Sequence, residues 1–191
     1  MIFGIVVEAE RDAEVYSTLI RKIRPDAEHV EKRPCGDVVQ LRRKFVDWLK
    51  NFQWHLEYQV DKALVIRDSD CHDPRSVEDE LARILVQSGF QPAFPVHFLA
   101  TRRMVETWLL ADEQAVNEVA RRRGKTPSAQ AVGDPLEEAR KADDLFRRML
   151  SQAHLPAFPA VYGEVAAAAE IDRIAQRCPY FQQFVHKVRA C

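Results

Sequence analysis

Apolar residues gather along this chain in short unbroken blocks, separated by segments in which they recur at helical spacing. Ile2 to Val7 forms one block and ends in Glu8. Ala63 to Ile66 forms another and runs into Asp68-Ser69-Asp70, and Val96 to Ala100 leads to Arg102-Arg103. Blocks of this kind, without polar alternation, predict strands buried on both faces, as in parallel sheets covered by helices. Between them the helical pattern is plain. Glu10-Arg11-Asp12 opens a helix carrying Tyr16, Leu19, Ile20 and Ile23, which Pro25 ends. After a weaker strand around 28–32, Asp37 caps a helix with Val38, Leu41, Phe45, Trp48 and Leu49 on one side. Ser76 is expected to open the next, with Glu78 or Asp79 near the capping-box offset, Leu81, Ile84 and Leu85 on its buried face and Gly89 closing it. A further helix contains Met104 to Asp112.

Strands alternating with helices predict an α/β fold, a Rossmann-like, mainly parallel sheet flanked by helices. Beyond residue 113 only helical patterns remain, over 113–120, 135–153, 164–177 and 180–189, with loops at 124–128 and 156–159. The organisation expected is therefore an α/β core over 1–112 and an all-helical C-terminal extension over 113–191 packed on it.

Composition narrows the picture. With 191 residues, 47% hydrophobic and 30% charged, the chain can bury a sizeable core without metal or disulfide. A formal net charge of −1 argues against binding nucleic acid by bulk electrostatics. The basic clusters Arg42-Arg43-Lys44, Arg121-Arg122-Arg123 and Arg147-Arg148 read as solvated helix faces, whereas Arg102-Arg103 follows a strand and falls on the rim where acids are expected. Cys35, Cys71, Cys178 and Cys191 show no paired spacing, and the start has neither a basic leader nor a cleavage site, so a reduced, cytoplasmic protein is expected. No apolar stretch approaches the ~20 residues that cross a bilayer. Cys71-His72 has no second Cys/His pair at zinc-ligand spacing and reads as loop.

The chemistry concentrates at strand ends, where ligands of parallel sheets bind. If the first two blocks are neighbours in one sheet, Glu8, Asp68 and Asp70 converge at one edge. Three carboxylates there repel one another and raise their own pKa values unless a cation lies between them. Mg2+ meets that need, because it takes oxygen ligands and retains waters and substrate phosphates. A lone Asp-x-Asp has a structural reading too, as a turn or a helix cap. Asp73 and Glu106 are candidates for a further ligand or a second metal. Asp112 lies six residues beyond Glu106, too far round a helix to face the same ion, and reads as a helix-end residue.

Taken together, Val7-Glu8-Ala9-Glu10-Arg11-Asp12 and Ile66-Arg67-Asp68-Ser69-Asp70 resemble the two signature segments of the Toprim domain, shared by topoisomerases, primases and nucleases of the overcoming-lysogenization-defect group. The segment Glu106-Thr107-Trp108-Leu109-Leu110-Ala111-Asp112 and the ending from Ile171 through Cys178-Pro179-Tyr180-Phe181 to Phe184 resemble a narrower Toprim-like family, domain of unknown function 4276. Two positions depart: Ala9 stands where glycine is usual, and Tyr180 where a small polar residue is common, on the helical tail. The resemblance implies a Toprim-like core in which Asp68 and Asp70 hold Mg2+ or Mn2+, and Glu8 is a ligand or general acid/base at a phosphodiester of DNA or RNA. Arg102 or Arg103 would pair with a phosphate. It also implies a phage-defence-type nuclease working with a separate ATPase, since the chain has no phosphate-cradling Gly-rich motif of its own. The alternatives are a non-catalytic interaction module and a receiver-type phosphoacceptor domain, in which Asp68 would be the acceptor and Thr101 the hydroxyl. Phe181, Phe184, Val185 and Val188 suit either a homodimer or an intramolecular core.

Overall fold

A computed structural model of the chain describes residues 1–190; Cys191 lies outside the described residues. Its centre is a four-stranded, all-parallel sheet of β1 (Ile2–Val7), β2 (His29–Pro34), β3 (Lys62–Asp68) and β4 (Val96–Thr101), in the order β2-β1-β3-β4. The connecting helices are α1 (Glu10–Ile23), α2 (Val38–Trp54) and α3 (Pro74–Gln87). After β4 the chain is helical: α4 (Glu106–Leu109), α5 (Glu113–Arg122), a 3₁₀ turn at Leu136–Glu138, α6 (Ala142–Gln152), α7 (Pro159–Ala168), α8 (Ile171–Arg177) and α9 (Phe181–Arg189). This is the Rossmann-like α/β fold with a helical C-terminal part that the apolar blocks predict. Among the described residues no helix is long and apolar enough to cross a membrane, and Cys35, Cys71 and Cys178 are free thiols.

The strand alternation divides the interior in two. Phe3, Ile5 and Val7 of β1 and Leu64 and Ile66 of β3 face α1 and the C-terminal helices. Val6, Ala63 and Val65 face α2 and α3, where Leu41, Phe45, Leu49, Phe52 and Leu81 close the second core. Gly4 belongs to that second face because the Phe52 ring lies on it: a Cβ added at Gly4 would stand 2.6 Å from the ring. The C-terminal helices are built into the first core. Trp108 packs edge-on against Tyr16 and Phe181, at ring separations of 5.8 and 4.8 Å. Phe181, Phe184 and Val188 are fully buried there, so these apolar tail residues serve the intramolecular core. The buried Lys62 donates to Val188 O and Ala190 O at the end of α9, tying the tail to the start of β3.

Several boundaries differ from the pattern reading. Helix α3 begins at Pro74, with Asp73 as its N-cap, two residues ahead of Ser76. The Met104–Asp112 helix shortens to α4, because Asp112 turns to cap α5 through Gln114 N and Ala115 N. The single helix expected over 164–177 is two. Asp112 Oδ2 takes the Glu170 N–H at 2.9 Å, and Lys22 Nζ takes the carbonyls of Ala167 and Ala169, so backbone groups that would continue α7 are used elsewhere. Asp112 is the helix-end residue its spacing from Glu106 implies.

Gly4→Ala should cost about 1–3 kcal/mol, the ordinary penalty of overpacking a close-packed core, and urea unfolding of the two proteins measures it.

Candidate active site

The chain leaves β1 for β2 on one side and returns to β3 on the other, so the crevice beyond the carboxyl ends of β1 and β3 is the topological switch point of the sheet, where ligands of such folds bind. Glu8 follows β1 and Asp68 ends β3. The two meet there: the Asp68 backbone N–H donates to Glu8 Oε1 at 3.0 Å. Ala9, at φ −127°, is extended, so the turn after Glu8 needs no glycine. Beside this contact the loops after β3 and β4 are laced together. Ser69 N donates to Thr101 O and Asp70 N to Arg103 O, both at 3.0 Å; Arg103 N donates to Ser69 Oγ and its guanidinium to Asp70 O. Asp70 (φ 51°) and Arg103 (φ 69°) both adopt the left-handed conformation, which costs a side-chain-bearing residue about 1 kcal/mol. Between the loops opens a cleft of about 280 Å³ lined by Ser69, Asp70, Cys71, His72 and Asp73 on one side and Arg102 and Arg103 on the other.

Comparison with protein-family models, with characterised proteins and with solved structures gave no match for this chain.

The acids part company at the edge. Register puts Val6 opposite Val65, so Glu8 falls opposite Arg67 and Asp68 is one residue out of phase, on the face toward α1. Its carboxyl accepts from the Thr101 hydroxyl at 2.7 Å, and Thr101 Oγ1 is 3.1 Å from the buried Tyr16 hydroxyl. Asp70, beyond the strand and past its left-handed turn, is exposed and lines the cleft. The expectation that Asp68 and Asp70 face one point fails for this reason: alternation holds only while the strand is extended. Asp73 Oδ2 accepts from Ser76 N at 3.1 Å and from Ser76 Oγ at 3.2 Å, capping α3. Glu106 is fully buried beside Arg11, whose Nε stands 3.1 Å from Glu106 Oε1 and 3.6 Å from Asp12 Oδ1, and neither Glu106 oxygen receives a hydrogen bond. Among the described residues no three His, Cys, Asp or Glu groups form a metal-ligand set. What the site offers a hard cation is the Glu8 and Asp70 carboxylates, with Asp68 turned inward. That donor chemistry fits Mg2+, which is held by one or two carboxylates and completes its shell with water and phosphate.

Burial dominates the electrostatics. It raises Glu8 to about 7, against the lowering effect of the Asp68 N–H, with Asp12 raising it further. Burial also pushes Asp68 well above the usual carboxylate range, reinforced by Asp12 and Glu106 and opposed by the Thr101 hydroxyl. Asp12 and Glu106 are raised by burial as well, although Arg11 draws both down. Four carboxyls thus crowd one edge with Arg11 as their close counter-charge; Arg67 is engaged with Glu80 at 2.8 Å on the other face. Asp12, Arg11 and Tyr16 escaped the sequence reading as site residues. A signal existed: Asp12 is four residues before Tyr16, which places an acid on the apolar stripe of α1.

A carboxyl whose folded pKa is raised binds more protons folded than unfolded between the two values, so it lowers stability as pH rises through that window. In metal-free buffer, wild type should lose stability relative to Glu8→Gln between pH 4.5 and about 7. Urea midpoints of both proteins at pH 5 and pH 8 test this; an unchanged difference would refute the protonated Glu8.

Proposed function

We propose that the chain is a Mg2+- or Mn2+-dependent nuclease that hydrolyses phosphodiesters at the cleft beside Glu8, Asp68 and Asp70, consistent with the segments that resemble Toprim nucleases. The observation that carries the reading is the Glu8–Asp68 contact at the switch point, with a cationic wall, Arg102 and Arg103, across the adjoining cleft. Bound between Glu8 and Asp70, the cation would polarise a phosphoryl oxygen and lower the pKa of a coordinated water. The chain's own groups do the rest. Glu8, with a pKa of about 7, holds or releases a proton at neutral pH, the range in which a general acid or base works best. Asp68 positions Glu8 through its backbone N–H, and is itself held by the hydroxyl chain from Tyr16 to Thr101. Arg102, exposed and without an ion pair among the described residues, is placed to take a non-bridging phosphate oxygen. Arg103 orients the loop through Asp70 O. The strain at Asp70 and Arg103 supports the same reading, since left-handed side-chain-bearing residues persist where surrounding contacts impose them and gather at functional sites. The separate ATPase partner and the phage-defence setting belong to this proposal by resemblance.

Incubating the purified chain with Mg2+ or Mn2+ and plasmid, single-stranded DNA or structured RNA tests it. Metal-dependent cleavage is expected, falling on the order of 100-fold or more in Asp68→Ala/Asp70→Ala, since even outer-shell changes at metal sites cost 10–100-fold. Cleavage that survives the double substitution would sink the proposal.

Asp70→Gly separates function from folding. It should lose cleavage while unfolding at equal or higher urea concentration, gaining up to about 1 kcal/mol from relief of the left-handed turn. Loss of stability instead would show that the Asp70 side chain holds the loop.

A further inference from the structure

Between α3 and α9 lies a groove of about 580 Å³, outside the cleft but meeting it at the first turn of α3. Asp73 and Pro74 line the cleft, and the next residue, Arg75, lines the groove. One cation–acid pair on the groove is closed on itself, Lys187 Nζ lying 2.8 Å from Glu78 Oε2 and donating to Phe98 O. Arg75 is different: it is exposed and makes no ion pair among the described residues. Gln182, Gln183 and His186 supply amide and imidazole groups from α9. Tyr180 stands at the junction of the two depressions. It is half-buried, the Gln183 side chain bonds its hydroxyl, and its phenol feels the charges of Glu78, Asp73 and Arg75. The sequence reading placed Tyr180 on the helical tail, away from the acid rim. Packing α9 against β4 and α3 brings it beside Asp73.

From this arrangement we infer that the groove binds a single-stranded segment of polynucleotide flanking the bond that lies in the cleft. The inference rests on the nuclease reading for what occupies the cleft. A duplex is held chiefly by many cations along its phosphates, and here one guanidinium is free while Asp79 offsets it. Single strands are held differently: unstacked bases lie on aromatic rings, their edges bond to polar side chains, and a few cations follow the backbone. Tyr180 supplies the ring, Gln182, Gln183 and His186 the edge contacts, and Arg75 the cation nearest the cleft. The path from groove to cleft runs past Tyr180 and the start of α3, so a strand lying on it reaches Asp70 and Arg102 by its backbone.

Fluorescence anisotropy with 5′-labelled single-stranded DNA and RNA oligonucleotides of mixed sequence, and with the matching DNA duplex, all in EDTA, measures binding without cleavage. Wild type should bind a single strand more tightly than the duplex, and the better of the two sugars identifies the natural chemistry. Tyr180→Ala should weaken single-strand binding about tenfold, in the range for loss of one stacked base, and Tyr180→Phe should restore it. Arg75→Glu, at an exposed position that folding does not need, should weaken it and flatten its salt dependence. Wild-type affinity in both Tyr180→Ala and Arg75→Glu, preference for the duplex, or no single-strand binding would each overturn the inference. Failure of the nuclease reading looks different: no metal-dependent cleavage, with single-strand binding still sensitive to Tyr180.

Discussion

The carboxyl of Asp68 is the point on which the arrangement of this molecule turns. It ends a central strand on the face toward α1, in an interior that Tyr16, Trp108 and the C-terminal helices have closed to water. A carboxyl so placed must be neutralised, hydrogen-bonded or protonated. The chain answers with the Thr101 hydroxyl, backed by Tyr16, and with Arg11, which also serves Asp12 and Glu106. One guanidinium cannot balance three interior acids and Glu8 as well. The remainder appears as raised pKa values, and as Glu106 oxygens without a donor. Such a surplus of negative charge at a switch point weakens the folded state and favours a cation, and that tension gives the edge its chemical character.

How far the sequence announces this fold follows from where each element sits. β1 and β3 are the central strands, covered on both faces, so their unbroken apolar blocks were legible. β2 was faint because it lies at the sheet edge and carries Glu31, Lys32 and Arg33, each half-buried. In the extension the helical pattern was readable but its punctuation was not. Pro159 reads as part of a linker, yet at the first position of α7 it costs no hydrogen bond. The break after α7 is made by Asp112 and Lys22, from far away in sequence, and no local pattern reports a contact of that kind.

The site was legible in its location and less so in its geometry. Two strand ends rich in acid, followed by two arginines after a third, are enough to mark the carboxyl edge of a parallel sheet. Face parity is another matter. Whether Glu8 and Asp68 point the same way depends on the register between β1 and β3, and a shift of one residue reverses every side chain. Asp70 adds a left-handed backbone that breaks alternation just where the motif needs it. The cap at Asp73 went unread because Ser76 and Glu78 offer an equally good start two residues on, and Pro74 decides between them by fitting the first turn of α3.

The helical extension does more than cover α1. By closing the interior around Tyr16 and Trp108 it removes water from Asp68 and Glu106, and so generates the electrostatic strain at the edge. The same helices reach back over β4, where Lys187 of α9 bonds both Phe98 O and Glu78, and this brings Tyr180 beside the first turn of α3. Site and groove are thus consequences of one packing arrangement. Loosening α9 would admit water to the acids and displace the aromatic ring together, so charge at the edge and shape beside it are coupled through the extension rather than through the sheet.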